Sequence, residues 1–142
     1  MASTPIGLVS AVSLLVVLLF TACNTSISVG NVDISPGVQP RMSSSQVADR
    51  VAEAIRASEE QLGRALGPAA IDQMTATTAD QVSTLEPTAP DLDVPASTIV
   101  WVVRAHGTFV GLHRPVADAP TSETGYFVIR DADGTTLATG FP

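Results

Sequence analysis

The sequence predicts an α+β domain in two layers: one long amphipathic helix packed on a small antiparallel sheet, preceded by a signal or anchor helix. Three observations carry that expectation. Apolar residues recur at helical spacing over residues 44–66. The last third of the chain is β-branched and apolar, with turn residues between the runs. Residues 6–20, IGLVSAVSLLVVLLF, hold no charge. A helix followed by strands must bury its apolar stripe against one sheet face, which gives two layers.

The leader comes first in the chain. Residues 1–22 have the apolar core and the small residues of a signal peptide, although MASTP supplies no basic side chain. The tetrapeptide FTAC, residues 20–23, resembles the lipobox of bacterial lipoproteins, with Phe20 where that motif usually has Leu. The resemblance implies cleavage before Cys23 and a diacylglycerol on its thiol. The acyl chains would then hold the protein on the extracytoplasmic side of the cell membrane, and two chains anchor stably where one does not. The alternatives are a cleaved chain without lipid and an uncleaved span, but a helix over residues 6–22 covers about 25 Å of a roughly 30 Å hydrocarbon core. Cys23 is the one cysteine of these 142 residues, so no disulfide can form within them and no cysteine-based zinc site is expected.

Residues 23–42 read as a flexible tether, rich in Ser, Asn, Gly and Pro. The alternation in ISVGNVDI leaves a short strand as the other reading. The domain is expected over 43–142. Val47, Val51, Ile55, Ser58, Leu62 and Leu66 line one helical face. Ser43 and Gln46 have capping-box spacing, Met42 and Val47 have that of a hydrophobic staple, and Gly67-Pro68 is the expected stop. On the far side Arg56 with Glu60, and Glu60 with Arg64, stand four apart. Residues 69–86 admit two readings, a strand beginning at MTATT or a short helix over TADQVSTL closed by Pro87. Three prolines make 87–97 a loop.

TIVWVVRA (98–105) reads as a strand, His106-Gly107 as a turn or bulge, and TFVGLHRP (108–115) as the returning strand. VADAPTSE (116–123) is an expected loop. GYFVIR (125–130) and TTLATG (135–140) flank Asp131-Ala-Asp133-Gly134, and Asp-Gly between apolar runs predicts a hairpin. The same four residues resemble the start of a calcium loop. Thr135 and Pro142 stand where that loop needs a third ligand and a closing Glu, so a turn is the better reading.

The net charge of −7 argues against nucleic acid, whose binding needs clustered cations. His106 and His113, with Asp118, are candidates for a base with an orienting acid, but metal-site spacing is missing and neither catalytic residues, a metal nor a cofactor is expected. Arg104, His113, Arg114 and Arg130 stand on or beside strands and form the candidate binding surface.

Trp101 and Val103, followed by Asp131, Gly134 and Leu137, make residues 43–142 resemble the PepSY modules of bacterial exported proteins. That resemblance implies a helix before a small sheet and no catalytic residues. It also implies an interaction or protease-inhibitory role. The expectation is a lipid-anchored exported protein with a non-catalytic binding module at the cell envelope, partnered by the membrane through Cys23 and by an envelope protein. The other classes are an envelope hydrolase using His106 or His113, and a structural accessory subunit of a membrane complex whose sheet edge pairs with a partner.

Overall fold

The computed structural model describes residues 27–110 and 121–142. The chain runs β1 (Ser28–Ile34), α1 (Ser44–Leu62), β2 (Ala70–Thr78), a 3-10 turn (Ala79–Gln81), α2 (Val82–Leu85), β3 (Ile99–Val110), β4 (Thr121–Arg130) and β5 (Thr136–Gly140). The strands form one sheet in the order β1-β2-β3-β4-β5. β1 is parallel to β2 and the other pairs are antiparallel. α1 is the crossover that a parallel pair requires, and the remaining strands follow as a meander.

This corrects the expected architecture. The sheet is no small antiparallel unit under one long helix. It is a five-stranded mixed sheet and the dominant element, with α1 on one face and the short α2 on the other. Two strands account for the difference. β1 arises from the stretch read as tether, where every residue of the strand is exposed, so no apolar run advertises it. β2 is rich in Thr and Ala, and its buried positions fall on both faces. The register shift between Ile71 and Gln73 also breaks its alternation.

α1 starts as its residues dictate. The Ser43 hydroxyl accepts from the Gln46 N–H at 3.2 Å, and the Gln46 side chain accepts from the Ser43 N–H at 2.9 Å. Val47, Val51 and Ile55 are buried in the core, with Met42 packed against the same cluster. The helix stops four residues before Leu66. Gly63 takes φ 67°, and the N–H groups of Gly63 and Arg64 close onto the Glu60 and Glu59 carbonyls. Glycine reaches that left-handed conformation without penalty, so the cap wins over the apolar period. Leu66 is still buried, but off the helix, with its N–H donating to the Glu59 carboxylate at 3.2 Å. Among the described residues the ion pair on α1 is Arg50 with Glu53, at 3.4 Å, and not a pair four apart.

Both readings of 69–86 come true in succession, strand then helical turn. His106-Gly107 does not reverse the chain. β3 runs through it to Val110, and the pairing with β4 shifts between His106 and Phe109. Residues 111–115 of the expected returning strand lie outside the described residues. β4 begins at Thr121, inside the stretch read as a loop. The Asp-Gly hairpin forms where expected, with Gly134 at φ 72° and its N–H donating to the Arg130 carbonyl at 2.8 Å.

The core has two parts. Under α1, Trp101, Val103, Ala105, Phe127 and Ile129 meet the helix stripe. Phe109 and Phe141 stack at 5.2 Å between ring centres, with Phe127 edge-on to both. On the other face Val100, Val102, Tyr126 and Val128 pack under Val82, with Leu85, Ala89 and Leu92 at the margin. Asp131, which is buried, ties the Trp101 side of the core to the residues that lead into α1. Its carboxylate accepts from the Arg41 N–H at 2.7 Å, the Met42 N–H at 2.9 Å and the Trp101 indole N–H at 3.0 Å.

Candidate functional site

The segment 79–97 covers only part of the second sheet face. Beyond it, a depression of about 460 Å³ opens over the β2, β3 and β4 ends. Asp72, Gln73, Arg104, Thr124 and Tyr126 line it, with Glu86 at the wall. Alternation on β3 explains why Arg104 is there. Val100 and Val102 lie on this face, and the next residue of that set is Arg104, opposite Tyr126 on β4. The apolar pair is roofed by Val82 and its neighbours, and the roof ends at Leu85-Glu86.

Arg104 is half-exposed. Its Nε donates to Glu86 Oε2 at 3.2 Å, and one terminal nitrogen donates to the Leu85 carbonyl. A guanidinium has five N–H donors, so three remain for a ligand. The other oxygen of Glu86 accepts from the Thr88 hydroxyl at 2.6 Å. The Tyr126 hydroxyl sits 3.4 Å from the Thr88 carbonyl. Burial first, then the Glu86 carboxylate, push the Tyr126 hydroxyl above its usual pKa. Tyr126 therefore stays a neutral donor. Its ring lies close against Gly140, where a Cβ would collide with the ring carbons Cε1 and Cζ. Only glycine permits that approach.

At the rim, His106 Nδ1 lies 2.5 Å from Asp72 Oδ1. The acid beside His106 is thus Asp72 on the neighbouring strand, and the candidate Asp118 lies outside the described residues with His113. Thr124 stands opposite His106 in the ladder. No hydroxyl among the described residues is hydrogen-bonded to the imidazole. No group of three metal-ligating side chains occurs among them.

The structure does not bring Arg104 and Arg130 together. They share a sheet face, but Arg130 pairs with Val100, four residues along β3, or about 13 Å. Arg130 holds Asp133 through two bonds of 3.0 and 2.7 Å. That pairing, with the Thr135 N–H, keeps the Asp133 carboxyl well below the ordinary carboxylate range. Each of the two cations thus has its own carboxylate. Arg114 and Cys23 lie outside the described residues. No helix among the described residues is long and apolar enough to cross a membrane.

Sequence reasoning missed Asp72, Glu86 and Tyr126. Glu86 and Tyr126 are 40 positions apart, and only the fold of 79–97 across the sheet joins them. Comparison with protein-family models, curated proteins and solved structures found no match to the chain.

Proposed function

We propose that the chain is an exported lipoprotein, anchored through a lipid on Cys23, whose folded part is a non-catalytic binding module at the cell envelope. The depression around Arg104 is the observation that carries this reading. It offers unspent guanidinium donors, a neutral Tyr126 hydroxyl and the Asp72 carboxylate within one open site. That set suits a ligand with a carboxylate for Arg104 and an amine or amide for Asp72, such as a short peptide segment. FTAC supports the location, and the PepSY-like residues Trp101, Val103, Asp131 and Gly134 support an interaction role over catalysis.

The test has two arms. Intact mass of the membrane-extracted protein, with Cys23→Ala as control, reads the anchor; an unmodified full-length chain overturns it. For the binding module, the isotope-labelled chain is titrated with a dipeptide such as Ala-Glu. Expected are NMR shifts confined to residues 72–73, 104–106 and 124–126, lost in Arg104→Ala. No shift up to about 10 mM, well above a weak-ligand Kd of about 1 mM, overturns the site.

A second reading rests on the His106–Asp72 contact, which leaves Nε2 of the imidazole open as a general base. An envelope hydrolase would turn over an activated ester and lose that activity in His106→Ala with the fold intact.

A further inference from the structure

The two edges of the sheet are unlike. β5 is five residues long and leads into Phe141, which folds back onto the core. β1 is seven residues long and exposes Val29 (37%), Val32 (42%) and Ile34 (54%). Sheet edges are ordinarily blunted by proline, by lysine, by a charge aimed inward or by brevity, because an open ladder templates pairing. β1 has no proline and no cation. Its one charge, Asp33, is held back on its own sheet, where the Gln73 amide donates to it at 3.2 Å.

The register of β1 on β2 assigns its faces. Val32 and Ile34 pair with Met74 and Ala76, which are in the core under α1. They share that face but reach beyond the helix. Asn31 and Asp33 pair with Gln73 and Thr75 and share the opposite face. Val29 pairs with the core residue Ile71, so the alternation changes at Gly30, whose backbone lies tight against Asp72.

We propose that β1 pairs antiparallel with β1 of a second copy of this chain, about a two-fold axis through Val32. A two-fold axis normal to the sheet keeps each face continuous, so directly opposed residues must point the same way. Registers centred between residues break that rule. Centring on Asn31 opposes Asp33 to Val29, which lie on different faces. Centring on Asp33 opposes two carboxylates, which repel. Centring on Ile34 sets Val32 against Pro36, which has no N–H for the ladder. Centring on Val32 satisfies every position from 30 to 34. Asn31 meets Asp33 of the second copy twice, amide to carboxylate. Val32 packs on its own counterpart, and Ile34 lies opposite Gly30, which presents no side chain to clash with it. Five paired residues make a small interface, so the dimer is weak and reversible.

The test uses the full chain in mild detergent with Cys23→Ser. Val32→Cys is oxidised and run on a non-reducing gel beside Glu60→Cys, an exposed position on α1. The expected result is a covalent dimer from position 32, about tenfold or more over position 60. Sedimentation equilibrium of the unaltered chain shows a concentration-dependent dimer. Val32→Lys weakens it by about tenfold or more through like charges at the axis, with the urea midpoint unchanged. A monomer at every concentration overturns the proposal. So does a dimer indifferent to Val32→Lys, or cross-linking of position 32 in whole envelopes to a different protein and not to itself.

Discussion

Asp131→Asn isolates one buried charge with its three donors in known places. In the native chain Oδ1 accepts from Met42 N–H and Trp101 Nε1–H, and Oδ2 accepts from Arg41 N–H. The amide of Asn can keep its oxygen at the first position and both of those bonds. Its NH₂ group then faces the Arg41 N–H, donor against donor. One bond to an ionised acceptor is lost, about 1.5–3 kcal/mol, and the other two lose their charge assistance. Against this, removing a buried charge recovers part of its desolvation cost. Arg41 is itself exposed, so water can reach its N–H in part. The balance is a loss of about 2 kcal/mol. Asp131→Ala strands all three donors, and the loss rises to about 4 kcal/mol. Urea unfolding followed by Trp101 fluorescence measures both, since Trp101 is the one tryptophan and touches the site. The native emission should also shift when its indole partner changes. An Asn variant within about 0.5 kcal/mol of the native chain would refute the claim that the charge, and not merely an oxygen, holds residues 41–42 against the sheet.

Tyr126 is the only tyrosine, so alkaline difference spectroscopy reads it alone. Its midpoint should lie above 10, and Glu86→Gln should move it down. Because its folded pKa is raised, the stability it contributes is present below the unfolded value and is lost as pH rises through the folded one. Asp133 has the opposite sign: its pKa is lowered in the fold, so its contribution is present above 3.8 and fades as pH falls through the folded value. Acid unfolding of Asp133→Asn should therefore depend less on pH below about 4. Gly134→Ala forces a left-handed φ of 72° and a Cβ 2.7 Å from Arg50 Nε, and calorimetry should show a loss of about 1–2 kcal/mol. Ser43→Ala removes the Gln46 N–H partner and should cost about 1 kcal/mol in the same measurement.

What was legible follows from where the information is local. The Ser43–Gln46 box, the stripe through Val47, Val51 and Ile55, and the Asp-Gly turn each depend on residues a few positions apart, and each forms. The C-terminus of α1 was misplaced because Leu66 continues the period while Gly63 ends the backbone geometry. β1 and β2 were obscure for a different reason. A strand whose residues are all exposed carries no burial pattern, and a strand buried on both faces with threonine and alanine carries no alternation. Single-residue logic also undervalued Asp131. It reads as a turn residue, and its second role depends on residues 41 and 42, some ninety positions away. The strand position of Arg104 was legible, but its partner Glu86 is set by where the loop after β2 crosses the sheet.

The division of the sheet's two faces explains why the open site lies where it does. α1 is 19 residues long and closes its face along the whole β2–β4 region. The opposite face is closed by α2, with four residues, and a proline-rich loop, which together cover Val100, Val102, Val128 and the Tyr126 ring. An uncovered face must be polar, and β3 turns from Val102 to Arg104 at that boundary. Glu86, at the edge of the roof, pairs with the first residue outside it. The ion pair thus fixes the roof's edge and the floor of the depression together. Arg104→Ala should then free Glu86 as well as remove a ligand contact, and Arg104→Lys should restore the roof but not the carboxylate fork. A dipeptide that binds the Lys variant as well as the native chain would show that the site uses charge alone.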